Sequence, residues 1–262
     1  MKRFVALFLS LCCTTLLFSG CKQPPVDDPD ENTSGQTQDT QPTTQPTTKP
    51  TEPVIVEDIE GPLAQYVQTA IKETIVFPGD RFGNKQSTPV RIPKLLPFSE
   101  DATACQAEIQ QKFDSLINEI RKEHADGHTS ATAFIDYSAY VNDSVLSVVI
   151  HQELMFDVSL YSIYNFDTET GKQLDTAELM SKLQITDYAE KFAQAAKKAY
   201  EEKYQHSQNK DNFYHSQLAA TISKENIDKA VPYVAEAGKV MVVINIYAIA
   251  GAAYYPEAIP LS

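Results

Sequence analysis

Residues 134–167 constrain the fold more than any other stretch of the chain. "FIDYSAYV" alternates apolar and polar positions, the period of a half-buried strand. Asn142-Asp143 follows, a pair that tolerates the positive φ of a tight hairpin turn. "SVLSVVIHQELMF" brings the chain back, and "SLYSIYNFD" supplies a third strand. Asp167 to Gly171 makes the next turn, with Gly171 suited to a positive-φ position. The segment "TGKQLDTAEL" then opens a helix. Asp175 can cap it, Glu178 stands three residues later as in a capping box, and Leu174 and Leu179 occupy the N′ and N4 positions of a hydrophobic staple. The acids here are accounted for by caps and turns, and Asp167 with Glu169 resembles the start of a calcium loop only in part. The glycine comes one place early.

Upstream, "YVQTAIKETIVF" (66–77) is partly alternating and rich in β-branched residues, so it reads as a strand. "PGDRFGNKQSTP" (78–89) reads as loop, and "VRIPKLLPF" as a short strand leaving through prolines. Ser99 has the character of an N-cap, with Glu100 and Asp101 in the first turn. Cys105, Ile109, Phe113, Leu116, Ile117 and Ile120 recur at helical spacing and predict an amphipathic helix over about 100–124, laid on a sheet. Downstream, a helix is expected over 188–206, capped by Asp187 with Glu190 in the box position. Its inner face would carry Tyr188, Phe192, Ala195, Ala196 and Ala199. "SQNKDNFYHS" reads as a polar loop, and Ser223 caps a short helix near 224–230. "AEAG" turns the chain into "KVMVVINIYAIA", which is almost continuously apolar, too short to span a bilayer, and best read as a strand buried on both faces. The end, "GAAYYPEAIPLS", gives a loop and a closing strand.

The N-terminal end supplies an address. Lys2 and Arg3 precede an apolar run from Phe4 to Phe18 that is too short for a spanning helix and has signal-peptide anatomy. It ends in Phe18-Ser19-Gly20-Cys21, which resembles the lipobox of bacterial lipoproteins, whose cysteine becomes the lipidated first residue. Residues 22–53 hold seven of the fifteen prolines among Thr, Gln and Asp. Such a low-complexity tract cannot build a core. As a semi-extended stalk its thirty-two residues would reach on the order of 100 Å. Four segments are therefore expected: a signal over 1–20, a lipidated cysteine and stalk over 21–53, and two intimate α+β halves over 54–135 and 136–262.

Charge and cysteine content exclude some functions. The whole chain carries −13. Loss of Lys2 and Arg3 with the signal leaves 20 basic against 35 acidic residues, a net −15. That balance argues against nucleic acid as a partner and against adsorption to anionic lipid, and it favours a cationic partner. Cys12 and Cys13 leave with the signal and Cys21 carries lipid, so Cys105 remains without a disulfide partner and reads as a buried thiol.

His124 and His128 are four residues apart, a zinc-ligand spacing on one helical face. Gly127 between them is the natural C′ residue, however, which puts His128 outside the helix. No metal and no cofactor are expected. A hydrolase would have to draw on His124, His128, His151, His206 or His215 together with carboxylates.

"YNFDTETGKQLDTAELM", with "INIYAIAGAAYYPEAIPLS" near the end, resembles the extracellular domain shared by the lysozyme-sensing anti-sigma factor RsiV and the peptidoglycan deacetylase PdaC. The upstream "RIPKLL…INEI" resembles that family's companion N-terminal part. Where family members often carry Gly-Gly-Ala-His, this chain reads "HQELMFDVSLYS". The resemblance implies an α+β fold, an antiparallel β-sheet with helices packed on it. It further implies binding or sensing at the envelope, on the extracytoplasmic face of a bacterial cell membrane. It covers neither a sigma-binding segment nor a deacetylase domain, so neither activity is expected. The expected ligand is a cationic protein such as lysozyme or a cell-wall glycan, met by the late-loop aromatics Tyr247, Tyr254 and Tyr255, and membrane attachment would run through lipid on Cys21. The alternative is an uncharacterised envelope hydrolase using histidines and carboxylates. If Cys21 carries the anchor, Cys21→Ala releases the protein from membranes on fractionation. A variant that stays membrane-bound with its signal cleaved would sink the lipoprotein reading.

Overall fold

The computed structural model describes residues 59, 61–79, 83–207, 213–250 and 253–261. The signal, the stalk and Cys21 lie outside them. The fold is mixed α+β, with two open sheets and helices packed on them. Strands β1 (Val67–Phe77), β2 (Gln86–Leu95), β3 (Thr132–Asn142), β4 (Val145–Leu154) and β5 (Val158–Asp167) form one sheet in sequence order. Its pairs are antiparallel except β2–β3, which run parallel and share a single register point, Val90 with Ile135. A parallel pair needs a crossover, and helix α1 (Glu100–Ala125) provides it.

Helix α1 forms where its spacing predicts. Ser99 is extended and its Oγ accepts from the Ala102 amide at 3.0 Å. Ile109, Phe113, Ile117 and Ile120 are buried against Val90, Ile92, Ile135, Val148, Ile150 and Phe166. Each fully buried side chain of this size contributes about 1.5–3 kcal/mol. Gly127 follows the helix at φ +82 and ends it, as expected. Cys105 is buried on the same face and its thiol donates to Gln173 Oε1 at 3.2 Å. Burial, then the charges of Glu108 and Asp101, push that thiol up to about 11.

The turn after β5 docks on the start of α1. Ser99 Oγ donates to the Gly171 carbonyl at 2.6 Å. The Gln173 amide donates to Asp101 Oδ2 at 2.7 Å. Gly171 sits at φ +74, and a Cβ there would lie 2.5 Å from that of Ser99. Both the backbone conformation and the close approach therefore require glycine. Helix α2 (Thr176–Lys182) carries the full capping box: Asp175 Oδ1 accepts from the Glu178 amide, and Glu178 Oε2 accepts from the Asp175 amide. Asp167 is engaged by Lys182 at 3.0 Å and by the Glu169 amide, so its carboxylate serves the turn.

Four expectations need correction. Asp187 precedes α3 (Tyr188–Tyr204) but makes no side-chain cap, because its backbone is left-handed at φ +53. Side-chain capping needs the extended backbone that Ser99 and Asp175 have, and here the Asp187 carbonyl accepts from Glu190 and Lys191 instead. Strand β2 starts at Gln86, inside the stretch read as loop. The Gln86 side chain bonds Ser130 and the Thr132 carbonyl where the β2–β3 ladder is reduced to one point. Residues from Tyr214 form helix α4 (Tyr214–Thr221), with α5 (Lys224–Ile227) following, capped by Ser223. Finally, the last apolar run is strand β7 (Val240–Tyr247), but only Val242, Ile244 and Ile246 are fully buried, under α3. Its other face is half-buried because it turns toward the first sheet rather than a second layer of helices.

Strand β7 is the centre of the second sheet, between β6 (Val231–Val234) and β8 (Tyr254–Pro260). The outer edge of β6 is satisfied by side chains of the first sheet. Ser147 Oγ, fully buried, accepts from the Val234 amide at 3.0 Å and donates to Asn165 Oδ1 at 2.7 Å. Asn165 Nδ2 donates to the Pro232 carbonyl at 2.9 Å. A Ser147→Ala variant leaves the Val234 amide and the Asn165 amide oxygen short of a partner. It is expected to lose about 1–3 kcal/mol of stability, read from the midpoint of urea denaturation. An unchanged midpoint would show that the clamp contributes nothing.

Candidate functional site

Side chains on successive strand positions alternate faces. On the first sheet, α1 covers the face of Ile135, Val148 and Ile150. The opposite face carries Phe134, Asp136, Ser138 and Tyr140 from β3, Val149 and His151 from β4, and Ser159 and Tyr161 from β5. Register then aligns them in rows: Asp136 faces His151, which faces Tyr161, and Phe134 faces Glu153, which faces Ser159. The second sheet overhangs part of this face, with Tyr233 from β6 and Ala258 from β8 as its wall. A cavity of about 340 Å³ remains between them, lined by Phe134, Ser138, Tyr140, His151, Tyr161 and Tyr233 among others. It adjoins a second of about 600 Å³, bounded by Phe156, Ser159, Tyr161, Lys203, Tyr255 and Glu257. Tyr161 and Ala258 line both, so the two form one groove.

The aromatic rings in this groove are held in fixed orientations. His151 stacks on Tyr161 at 4.8 Å with planes 7° apart, and meets Phe134 edge-on at 5.1 Å. His151 Nε2 lies 3.0 Å from both Glu153 Oε2 and Ser159 Oγ, and Ser159 donates to Glu153 at 2.7 Å. Lys203 of α3 pairs with Glu257 and lies 5.4 Å over the Tyr255 ring. At the other end Arg91 pairs with Asp136 and covers the Tyr137 ring at 4.9 Å. Burial, then Tyr140 and Tyr161, push the Tyr233 phenol up to about 12. Burial also raises the Tyr161 phenol; the Ser159 hydrogen bond opposes this, and the charges of Glu153 and Glu257 add to it. Near neutral pH both phenols therefore keep their protons and can donate.

The arrangement offers aromatic faces, hydroxyls and carboxylates along one trough. It does not offer a serine–histidine relay, because such a relay needs the carboxylate on one ring nitrogen and the hydroxyl on the other. Here both engage Nε2. The other histidines stand elsewhere. His124 is buried against Phe77 with Nε2 3.3 Å from Gln86 Oε1, and His128 is exposed beyond Gly127. His206 follows α3, and His215 lies against Tyr214 on α4. Among the described residues no group of three His, Cys, Asp or Glu is placed to hold a metal ion.

Of the tyrosines singled out in the sequence, Tyr255 lines the groove. Tyr247 and Tyr254 are register partners across β7 and β8, with ring centroids 5.5 Å apart. Tyr254 and Tyr255 are consecutive in β8 and so point to opposite faces, which separates that pair from Tyr255. Tyr161, Tyr140 and Tyr233 were not singled out. Their signal was present for Tyr140, which shares the Phe134–Asp136–Ser138 face of "FIDYSAYV", a face too polar and aromatic for plain core.

No family model matches the chain, and no curated protein matches it. Among solved structures the chain is similar to a DUF3298-family protein from Pseudomonas aeruginosa PAO1, at a TM-score of 0.42 and 11% identity over 74% of this chain and 89% of that one. It is also similar to a DUF3298-family member from Bacteroides fragilis, at a TM-score of 0.33 and 10% identity over 79% of this chain and 90% of that one. The structural neighbours are thus DUF3298-family proteins.

The Tyr161 phenol should titrate above its ordinary 10.0. Glu153 raises it by disfavouring a nearby phenolate, so Glu153→Gln should move the titration down. Ring-carbon NMR of tyrosine against pH measures this. A Tyr161 titration unmoved by the substitution would contradict the described geometry.

Proposed function

We propose that the chain is a binding module of the bacterial envelope, anchored by lipid on Cys21, whose groove takes a neutral cell-wall glycan. The observation that carries this reading is the trough itself: Tyr161 and Tyr255 line it together with the hydrogen-bonding groups of Ser138, Asp136, Ser159 and Glu257. Sugars present C–H faces that stack on aromatic rings and hydroxyls that bond carboxylates and phenols. Sites that recognise small ligands combine apolar area with a few placed polar groups in the same way. The net charge of −13 disfavours anionic polysaccharides and leaves neutral ones as the better fit. The acids at both ends are paired, Asp136 with Arg91 and Glu257 with Lys203, while Asp157 and Glu153 add negative charge, which favours a neutral ligand over an anionic one.

The same net charge supports a second ligand, a cationic protein such as lysozyme, held by long-range attraction. The two readings separate by salt. The Debye length falls from about 10 Å at 0.1 M to about 3 Å at 1 M, so attraction from net charge is lost while contacts inside a groove persist. Calorimetric titration of the whole chain with tetra-N-acetylchitotetraose is expected to show binding at both salt concentrations. Tyr161→Ala should lower that affinity about tenfold, equivalent to about 1.4 kcal/mol. Lysozyme binding that survives 1 M salt and exceeds that of an equally basic control, with no glycan binding, would replace the glycan with a protein ligand.

A further inference from the structure

The tip of the β4–β5 hairpin is unlike the rest of the surface. Leu154 pairs with Val158, leaving Met155, Phe156 and Asp157 as its loop. Phe156 is 91% exposed and Met155 is also exposed. Phe156 and Asp157 both have left-handed backbones, at φ +69 and +59. A bulky residue at positive φ is an outlier, and a tight turn of this kind favours Gly, Asn or Asp. An aromatic ring in water in that conformation gains nothing in the folded chain. Strain that persists without a structural return points to a role in function.

Its position indicates the role. Phe156 stands at the mouth of the 600 Å³ part of the groove, and Tyr161, Tyr255 and Lys203 lie across it. We propose that Phe156 is the upper jaw of this end of the site. It closes on the outer C–H face of one pyranose ring while the inner face lies on the tyrosines below. This rests on the glycan reading and narrows it. A ring gripped on both faces must be apolar on both, so its hydroxyls must be equatorial, as in a β-linked gluco-configured N-acetylhexosamine. Sugars with an axial hydroxyl present a polar group to one of the two jaws. The hairpin supplies the jaw with a rigid base, because β4 and β5 are paired along their whole length.

The whole chain has no tryptophan, so Phe156→Trp places a single indole at the jaw. With tetra-N-acetylchitotetraose as probe, its emission is expected to shift to the blue and affinity to stay within about twofold of the native chain. Phe156→Asn keeps a residue that tolerates positive φ and removes the ring. It is expected to melt at the same temperature or higher and to lose about tenfold in affinity, with Tyr161→Ala measured in parallel. If Phe156→Asn binds like the native chain while Tyr161→Ala is weakened, the groove stands and the jaw is wrong. If Phe156→Asn abolishes self-association in sedimentation and leaves glycan affinity unchanged, the tip is a contact between copies and the jaw is again wrong. An indole that reports no change on saturation overturns it as well. A native chain that binds no chitotetraose removes both the groove reading and the jaw.

Discussion

The buried Ser147–Asn165 pair sets how the second sheet meets the first. Strand β6 is an edge strand, and an edge needs partners for its outward amides and carbonyls. It finds them in two side chains of the first sheet rather than in another strand. Pro232 fits such an edge, having no amide to satisfy. The contact is both specific and costly to break, since neither group has water as an alternative. It pins β6 to the first sheet, β8 approaches β5 at the other side, and the groove lies between the two sheets. An apolar contact at the same place would hold the sheets together with less control over their angle.

Local features of this fold are readable in the sequence because they are encoded within a few residues. The caps at Ser99 and Asp175, the Gly127 stop and the Gly171 turn each depend on neighbours at fixed offsets, and each is found in the structure. Asp187 fails for the same reason in reverse: its residue type suits a cap, but the backbone angle that would aim it is set by how α2 hands over to α3. Strand β6 is four residues long and its outer edge is held by distant side chains, so no periodicity announces it. The groove was the least legible of all. Its residues come from three strands of one sheet, two of the other and one helix. Only the register of β3, β4 and β5 brings Asp136, His151 and Tyr161 into one row. Sequence reading put weight on the consecutive tyrosines of the last strand, where proximity in sequence sends the two rings to opposite faces.

His151 shows how a reactive residue type can serve as structure. Its ring is fixed on one side by Tyr161 and at one edge by Phe134, while its Nε2 is occupied by Glu153 and Ser159. A histidine so engaged makes a flat, polar-backed surface next to a tyrosine.

The seam between β2 and β3 has a mechanical meaning. Strands β1 and β2 share ten register pairs, yet the ribbon they form meets β3 at one ladder point. Elsewhere the junction is made by side chains: Gln86 to Ser130 and Thr132, Thr69 to Tyr137, Arg91 to Asp136. Helix α1 roofs both sides. The sheet is in effect two hydrogen-bonded ribbons lying edge to edge beneath one beam. A pull that enters at β1, the first strand among the described residues, would reach the groove-bearing ribbon through that beam, one ladder point and a few side-chain struts. The groove-lining strands are thereby insulated from tension entering at β1.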